Sequence, residues 1–110
     1  MPVEAEKTRR EFLQEALAQD PDNTFARYGL AIELVDAEPA AAWNHFEYLL
    51  RHHPDYSATY YQAGSFLIKQ GRIDEARQVL STGVEVTGRQ GKQHARSTLQ
   101  AALDELDKGR

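Results

Sequence analysis

At 110 residues, with 41% hydrophobic and 27% charged side chains and a formal net charge of −4, the chain has the composition of one compact domain or a short array. That length excludes two independent domains with a catalytic cleft between them, and the acidic balance disfavours sequence-independent binding to a polyanion. With no cysteine, disulfides, thiolate metal sites and cysteine nucleophiles are impossible.

The opening MPVEAEKTRR has no apolar stretch of the signal-peptide kind, and no apolar run approaches membrane-spanning length. A cytoplasmic protein with no membrane partner is expected. Apolar residues then recur at helical spacing, and no segment alternates as a strand would. Phe12, Leu13, Ala16 and Leu17 form a first stripe that stops at Asp20-Pro21-Asp22. Phe25, Tyr28, Gly29, Ile32 and Val35 form a second, ending near Asp36–Pro39. Pro39 suits the first turn of a third helix, where its missing N–H costs nothing. That helix carries Ala42, Trp43, Phe46, Leu49 and Leu50 and stops at Pro54. Ser57 can cap a fourth helix bearing Tyr60, Ala63, Gly64, Leu67 and Ile68, with Gly71 in the turn that follows. Asp74 can cap a fifth with Ala76, Val79, Leu80 and Val84 on one face. Gly88 and Gly91 precede a last helix with Leu99, Ala102, Leu103 and Leu106. The reading is all-α, with about six helices.

Two stretches repeat. Phe25-x2-Tyr28-Gly29-x2-Ile32, Ala42-x3-Phe46 and Pro54 match Tyr60-x2-Ala63-Gly64-x2-Leu67, Ala76-x3-Leu80 and Gly88. The glycines are 35 residues apart and the alanines 34, which places a one-residue insertion near Ala37–Ala40. Large, small and large residues along one helix face let a second helix approach closely, and the alanine does the same from the other side. This pattern resembles the tetratricopeptide repeat (TPR), of the small bacterial type: aromatic-x2-Leu-Gly-x2-Tyr, Ala-x3-Phe/Tyr, then Pro. The resemblance implies a short right-handed α-α superhelix of antiparallel helix pairs. Repeat 1 would span 23–55 and repeat 2 57–88. A half-repeat or cap at 4–20 and a capping helix at 89–107 would cover the ends, because one repeat cannot bury its apolar face alone.

The resemblance further implies a non-catalytic protein–protein interaction module, an adaptor or scaffold holding a partner peptide or helix in a concave groove. Positions between the packing slots would face it: Arg27, Leu30, Glu33 and Leu34 in the first repeat, Tyr61, Gln62, Ser65, Ile68 and Lys69 in the second, and Lys92 and Arg96 in the last helix. Tyr61 stands out because Tyr60 already fills the packing slot. Family members that clamp acidic C-termini use lysines, asparagines and arginine. Lys92 and Arg96 match one such pair, whereas Ala26, Leu30 and Gln62 stand where the rest would be, so most of that clamp is missing.

Charge is unevenly placed. Residues 1–58 hold eleven acidic and five basic side chains, a balance of −6; residues 59–110 hold six and eight, a balance of +2. This keeps open an acidic ligand at the C-terminal half, or self-assembly into a homo-oligomer through complementary halves or cap helices. His45, His52, His53 and His94 show no three- or four-residue spacing of a metal-binding helix, so no metal or cofactor is expected. No Gly-x-Ser-x-Gly elbow, P-loop or dinucleotide fingerprint occurs, and an enzyme is not expected. Gly88-Arg89-Gln90-Gly91 reads as an inter-helix turn rather than a nucleic-acid loop.

Overall fold

The computed structural model describes residues 7–109; residues 4–6 of the expected N-terminal cap lie outside them. These residues form six helices, α1 (Arg9–Gln19), α2 (Thr24–Leu34), α3 (Pro39–His52), α4 (Ala58–Lys69), α5 (Ile73–Arg89) and α6 (Gln93–Lys108), and no strand. Local chemistry sets most boundaries. Thr8 and Glu11 form a reciprocal capping box at the start of α1. The Asn23 side chain accepts the Ala26 N–H at 2.9 Å to start α2. Pro39 opens α3, which ends two residues before Pro54. Gly71 and Gly91, with φ of 75° and 71°, turn the chain after α4 and α5.

Three expected boundaries differ. Ser57 precedes α4 but makes no side-chain cap bond; its hydroxyl instead accepts from Lys92 Nζ at 2.9 Å. Helix α5 begins at Ile73, so Asp74 lies in its first turn rather than at its cap. Gly88 sits inside α5, because glycine, unlike proline, keeps the N–H that helix propagation needs.

The chain divides into two compact units at Leu49/Leu50. In the first, α1 and α2 pack antiparallel, with Leu13 against Gly29 and Arg9 paired with Glu33 at 3.1 Å. Leu13, Ala26 and Leu30 form the buried cluster there, flanked by Ala16 and Leu17. In the second, α4, α5 and α6 form an antiparallel succession around Tyr60, Leu80, Val86 and Leu99. Gly64 admits Leu80, and Gly83 admits both Tyr60 and Leu99; a Cβ at Gly83 would lie 2.6 Å from Tyr60 Cβ. Thr87, fully buried, donates to the Gly83 carbonyl at 2.7 Å.

Burial corrects the register of the first repeat. Ala26/Tyr60, Gly29/Ala63, Leu30/Gly64, Ala42/Ala76, Phe46/Leu80 and Leu49/Gly83 are all buried pairs, each separated by 34 residues. The helix starts Thr24/Ala58 and Pro39/Ile73 keep the same spacing. No insertion is needed, and the two glycines are not equivalents. Phe25 and Ile32, read as packing residues, are therefore turned about 100° away from the slots, and stand 63% and 36% exposed. Tyr28 is half-buried, Leu67 is buried, and Pro54 and Gly88 are exposed.

Candidate functional site

The four residues expected to face a groove from α2 are engaged elsewhere. Leu30 and Leu34 are only 3% and 4% exposed. They floor a small cleft of about 320 Å³ with Gln14, Leu17, Ala18 and His45. Glu33 pairs with Arg9. Arg27 stacks on the Tyr48 ring at 3.7 Å from its centroid. It also donates to the Pro21 carbonyl and to His45 Nδ1, the latter at 3.2 Å. An arginine always carries donors, so His45 Nδ1 acts as the acceptor and its proton resides on Nε2. Burial first, and then the Arg27 charge, hold the His45 imidazole below its ordinary value. The Tyr48 hydroxyl donates to Asp22 at 2.8 Å, which completes a fixed polar network. The register shift explains the difference: residues one position off the packing slots turned out to be the slots.

In the second unit, α4 and α6 both run antiparallel to α5 and thus parallel to each other. Between their N-terminal ends lies a cleft of about 420 Å³, lined by Ser57 just before α4, by Ala58 and Tyr61 of α4, and by His94, Ala95, Thr98 and Leu99 of α6. Tyr61 is 42% exposed on its wall, while neighbouring Tyr60 is buried and donates its hydroxyl to the Pro54 carbonyl at 2.6 Å. Burial and then Asp55 raise the Tyr60 phenol above its usual value. The consecutive tyrosines thus divide into one held inside and one presented outward.

The other expected residues scatter around this cleft. Gln62 and Ser65 are half-buried and Lys69 is exposed. Ile68 packs against the Tyr60–Leu80–Leu99 cluster instead of facing out. Lys92 reaches Ser57 and so stands at the mouth of the cleft. Arg96 lies over Gly88, 3.4 Å from the position of a Cβ there. It lines a separate depression of about 350 Å³ on α6 with Ser97, Gln100, Ala101 and Asp104. Tyr61 and Arg96 therefore do not share one pocket. His94 and Thr98, which do face Tyr61, carry no motif, and only the pairing of α4 with α6 brings them there.

Among the described residues, no group of three His, Asp or Glu side chains could hold a metal ion. No helix of these residues is long and apolar enough to cross a membrane. The cleft offers an aromatic wall, an apolar floor and polar groups at its rim, which suits reversible binding of a side chain or peptide.

A family model described as tetratricopeptide repeat matches residues 34–103. The chain is similar to a tetratricopeptide repeat domain protein from Salinibacter ruber solved by NMR: 36% identity, 81% of this chain and 91% of that chain covered, TM-score 0.75. A crystal structure of a tetratricopeptide repeat domain protein from Salinibacter ruber is 32% identical over 80% of this chain and all (100%) of that chain, with TM-score 0.75. A Bordetella parapertussis protein solved in solution is 30% identical over 94% of this chain and 91% of that chain, with TM-score 0.79. No curated protein matches the chain.

Proposed function

The chain belongs to the tetratricopeptide repeat family, and from that premise we propose that it is a non-catalytic adaptor that holds a partner peptide or helix in the α4–α6 cleft. The family generally mediates protein–protein interaction and is typically non-catalytic. One observation carries the placement: Tyr61, a large amphipathic side chain, stands 42% exposed on the wall of a cleft of about 420 Å³. A tyrosine so placed adds contact area at small entropic cost and leaves its hydroxyl for hydrogen bonding. Peptides selected from a random library should shift the backbone amide resonances of Ala58, Tyr61, His94 and Thr98. Tyr61→Ala should weaken them by more than about tenfold, as a central aromatic anchor does. Shifts confined to α1 or to the outer face of α6 would defeat this placement.

A second reading, self-association, draws on Phe12 and Phe25, which are 60% and 63% exposed. Light scattering at low and high salt tests it.

A further inference from the structure

We propose that the flank of the α1–α2 pair bearing Phe12, Phe25 and Ile32 docks one amphipathic helix of a partner protein, packed antiparallel to α1 as α4 packs on α5. This surface is separate from the α4–α6 cleft, and the inference does not depend on that cleft.

Helical geometry puts the three side chains on one flank. At about 100° per residue, Phe25 and Ile32 of α2 point the same way, opposite to Leu30 and Leu34, which floor the cleft beside His45. On α1, Phe12 is likewise turned away from Gln14 and Ala18, which wall that cleft. Leu13 against Gly29 joins the two helices between these flanks. Phe12 and Phe25 are 60% and 63% exposed and Ile32 is 36% exposed. Only one edge is rimmed by charge: Lys7 Nζ stands 5.9 Å from the Phe12 ring centroid while paired with Glu15 at 2.6 Å.

The internal repeat indicates what belongs there. One repeat on from Phe25 and Ile32 stand Thr59 and Phe66, which are 0% and 4% exposed. Slots that are sealed in the second repeat are therefore open in the first. In the second unit, α4 precedes the α5–α6 pair and sets Gly64 against Leu80 and Tyr60 against Gly83. Helices α1 and α2 follow each other as α5 and α6 do, yet among the described residues no helix precedes them. The outer flanks differ as well. Helix α6 exposes Arg96, Ser97, Gln100 and Asp104, the polar surface that ends a helical array. The α1–α2 flank instead presents two phenylalanines. Size selects the occupant. Phe12 and Phe25 expose roughly 200–300 Å², well short of the about 800 Å² per partner that a second copy needs. One helix as long as α4, with 12 residues, is about 18 Å long and about 10 Å wide and covers such a strip. Its stripe should run large, small, small, large, as Tyr60, Ala63, Gly64 and Leu67 do on α4.

The test is a titration of the isotope-labelled full chain with a synthetic peptide of residues 56–71, which carries the α4 sequence and stands in for the partner helix. The expected amide shifts fall on α1 around Phe12 and on α2 from Phe25 to Ile32, and the peptide gains helicity on binding. Affinity should drop more than about tenfold in Phe12→Ser and in Phe25→Ser, as loss of an aromatic anchor does. Both side chains are exposed, and circular dichroism checks that each variant keeps its helices. A peptide carrying Tyr60→Lys and Leu67→Lys should not bind, because its apolar stripe is broken. Shifts confined to α4–α6, binding indifferent to both phenylalanine variants, or no binding at millimolar peptide each overturn the proposal. So does a free chain whose Phe12 and Phe25 are already shielded from a dissolved paramagnetic probe. A dimer in light scattering that Phe25→Ser dissociates gives the flank to a second copy and overturns the partner helix.

Discussion

The cost of adding one methyl group differs among the three glycines buried in helices, because different atoms stand in the way. At Gly83 the new Cβ meets Tyr60 Cβ at 2.6 Å, an atom fixed by its own backbone. At Gly64 it meets Leu80 Cδ2 at 2.5 Å and Cγ at 2.8 Å, in a fully buried side chain. At Gly29 it meets the far ends of two flexible side chains, Leu13 at 2.9 and 3.1 Å and Arg9 Nη2 at 3.5 Å. Overpacking costs roughly 1–3 kcal/mol, against about 1 kcal/mol gained by removing a helical glycine. Gly83→Ala should therefore lower the urea midpoint most, Gly64→Ala less, and Gly29→Ala should stay within about 1 kcal/mol of the parent. A different sensitivity attaches to His45. Its imidazole is depressed by burial and by Arg27, so the folded state binds that proton less well than the unfolded state. The stability from this group is present above the ordinary histidine value of about 6.5 and is lost as pH falls through the depressed value. Urea midpoints at about pH 7.5 and about pH 5 should fall further in the parent than in His45→Gln. An equal fall in both would show that the network with Arg27 does not report the proton.

Helix α1 leans on its ends, since over its 11 residues Leu13 alone is buried. The Thr8–Glu11 box satisfies two otherwise orphaned groups there. Thr8→Ala should cost about 1 kcal/mol and should speed hydrogen exchange of α1 amides while leaving those of α5 unchanged. The caps themselves were not legible: Ser57 and Asp74, the expected caps of α4 and α5, do not cap, whereas Thr8 and Asn23, which do, were not singled out. The stops at Asp20-Pro21 and Pro54 were legible because proline blocks helix propagation, and so was the 34-residue period. The register of the first repeat was not. Matching Gly29 to Gly64 looks natural by residue type, but packing equates Gly29 with Ala63 and Leu30 with Gly64, since small residues can exchange slots across facing helices. One residue of error rotated Phe25 and Ile32 outward and brought Leu30 and Leu34 inward. The same limit governed the candidate site. Tyr61 could be singled out because Tyr60 had taken the inner slot. His94, Thr98 and the three-helix contact at Gly83 depend on where α6 lies along α4 and α5, which no local pattern encodes.

At the scale of the whole molecule, the two routes to self-association predict opposite responses to salt. Association between the −6 and +2 halves would be strongest at low ionic strength and screened as salt rises. Association through Phe12 and Phe25 would persist or strengthen in high salt. Neither has much to work with. Aromatic side chains bury about 150–250 Å² each; two that are about 60% exposed offer roughly 200–300 Å² between them. A stable interface needs about 800 Å² per partner. The net charge of −4 adds mutual repulsion between copies. Light scattering should therefore return the monomer mass of 12.4 kDa at both low and high salt. A mass increase at low salt that vanishes in high salt would assign assembly to the charged halves. An increase that survives high salt and disappears in Phe25→Ser would assign it to the exposed aromatic side chains of the first unit.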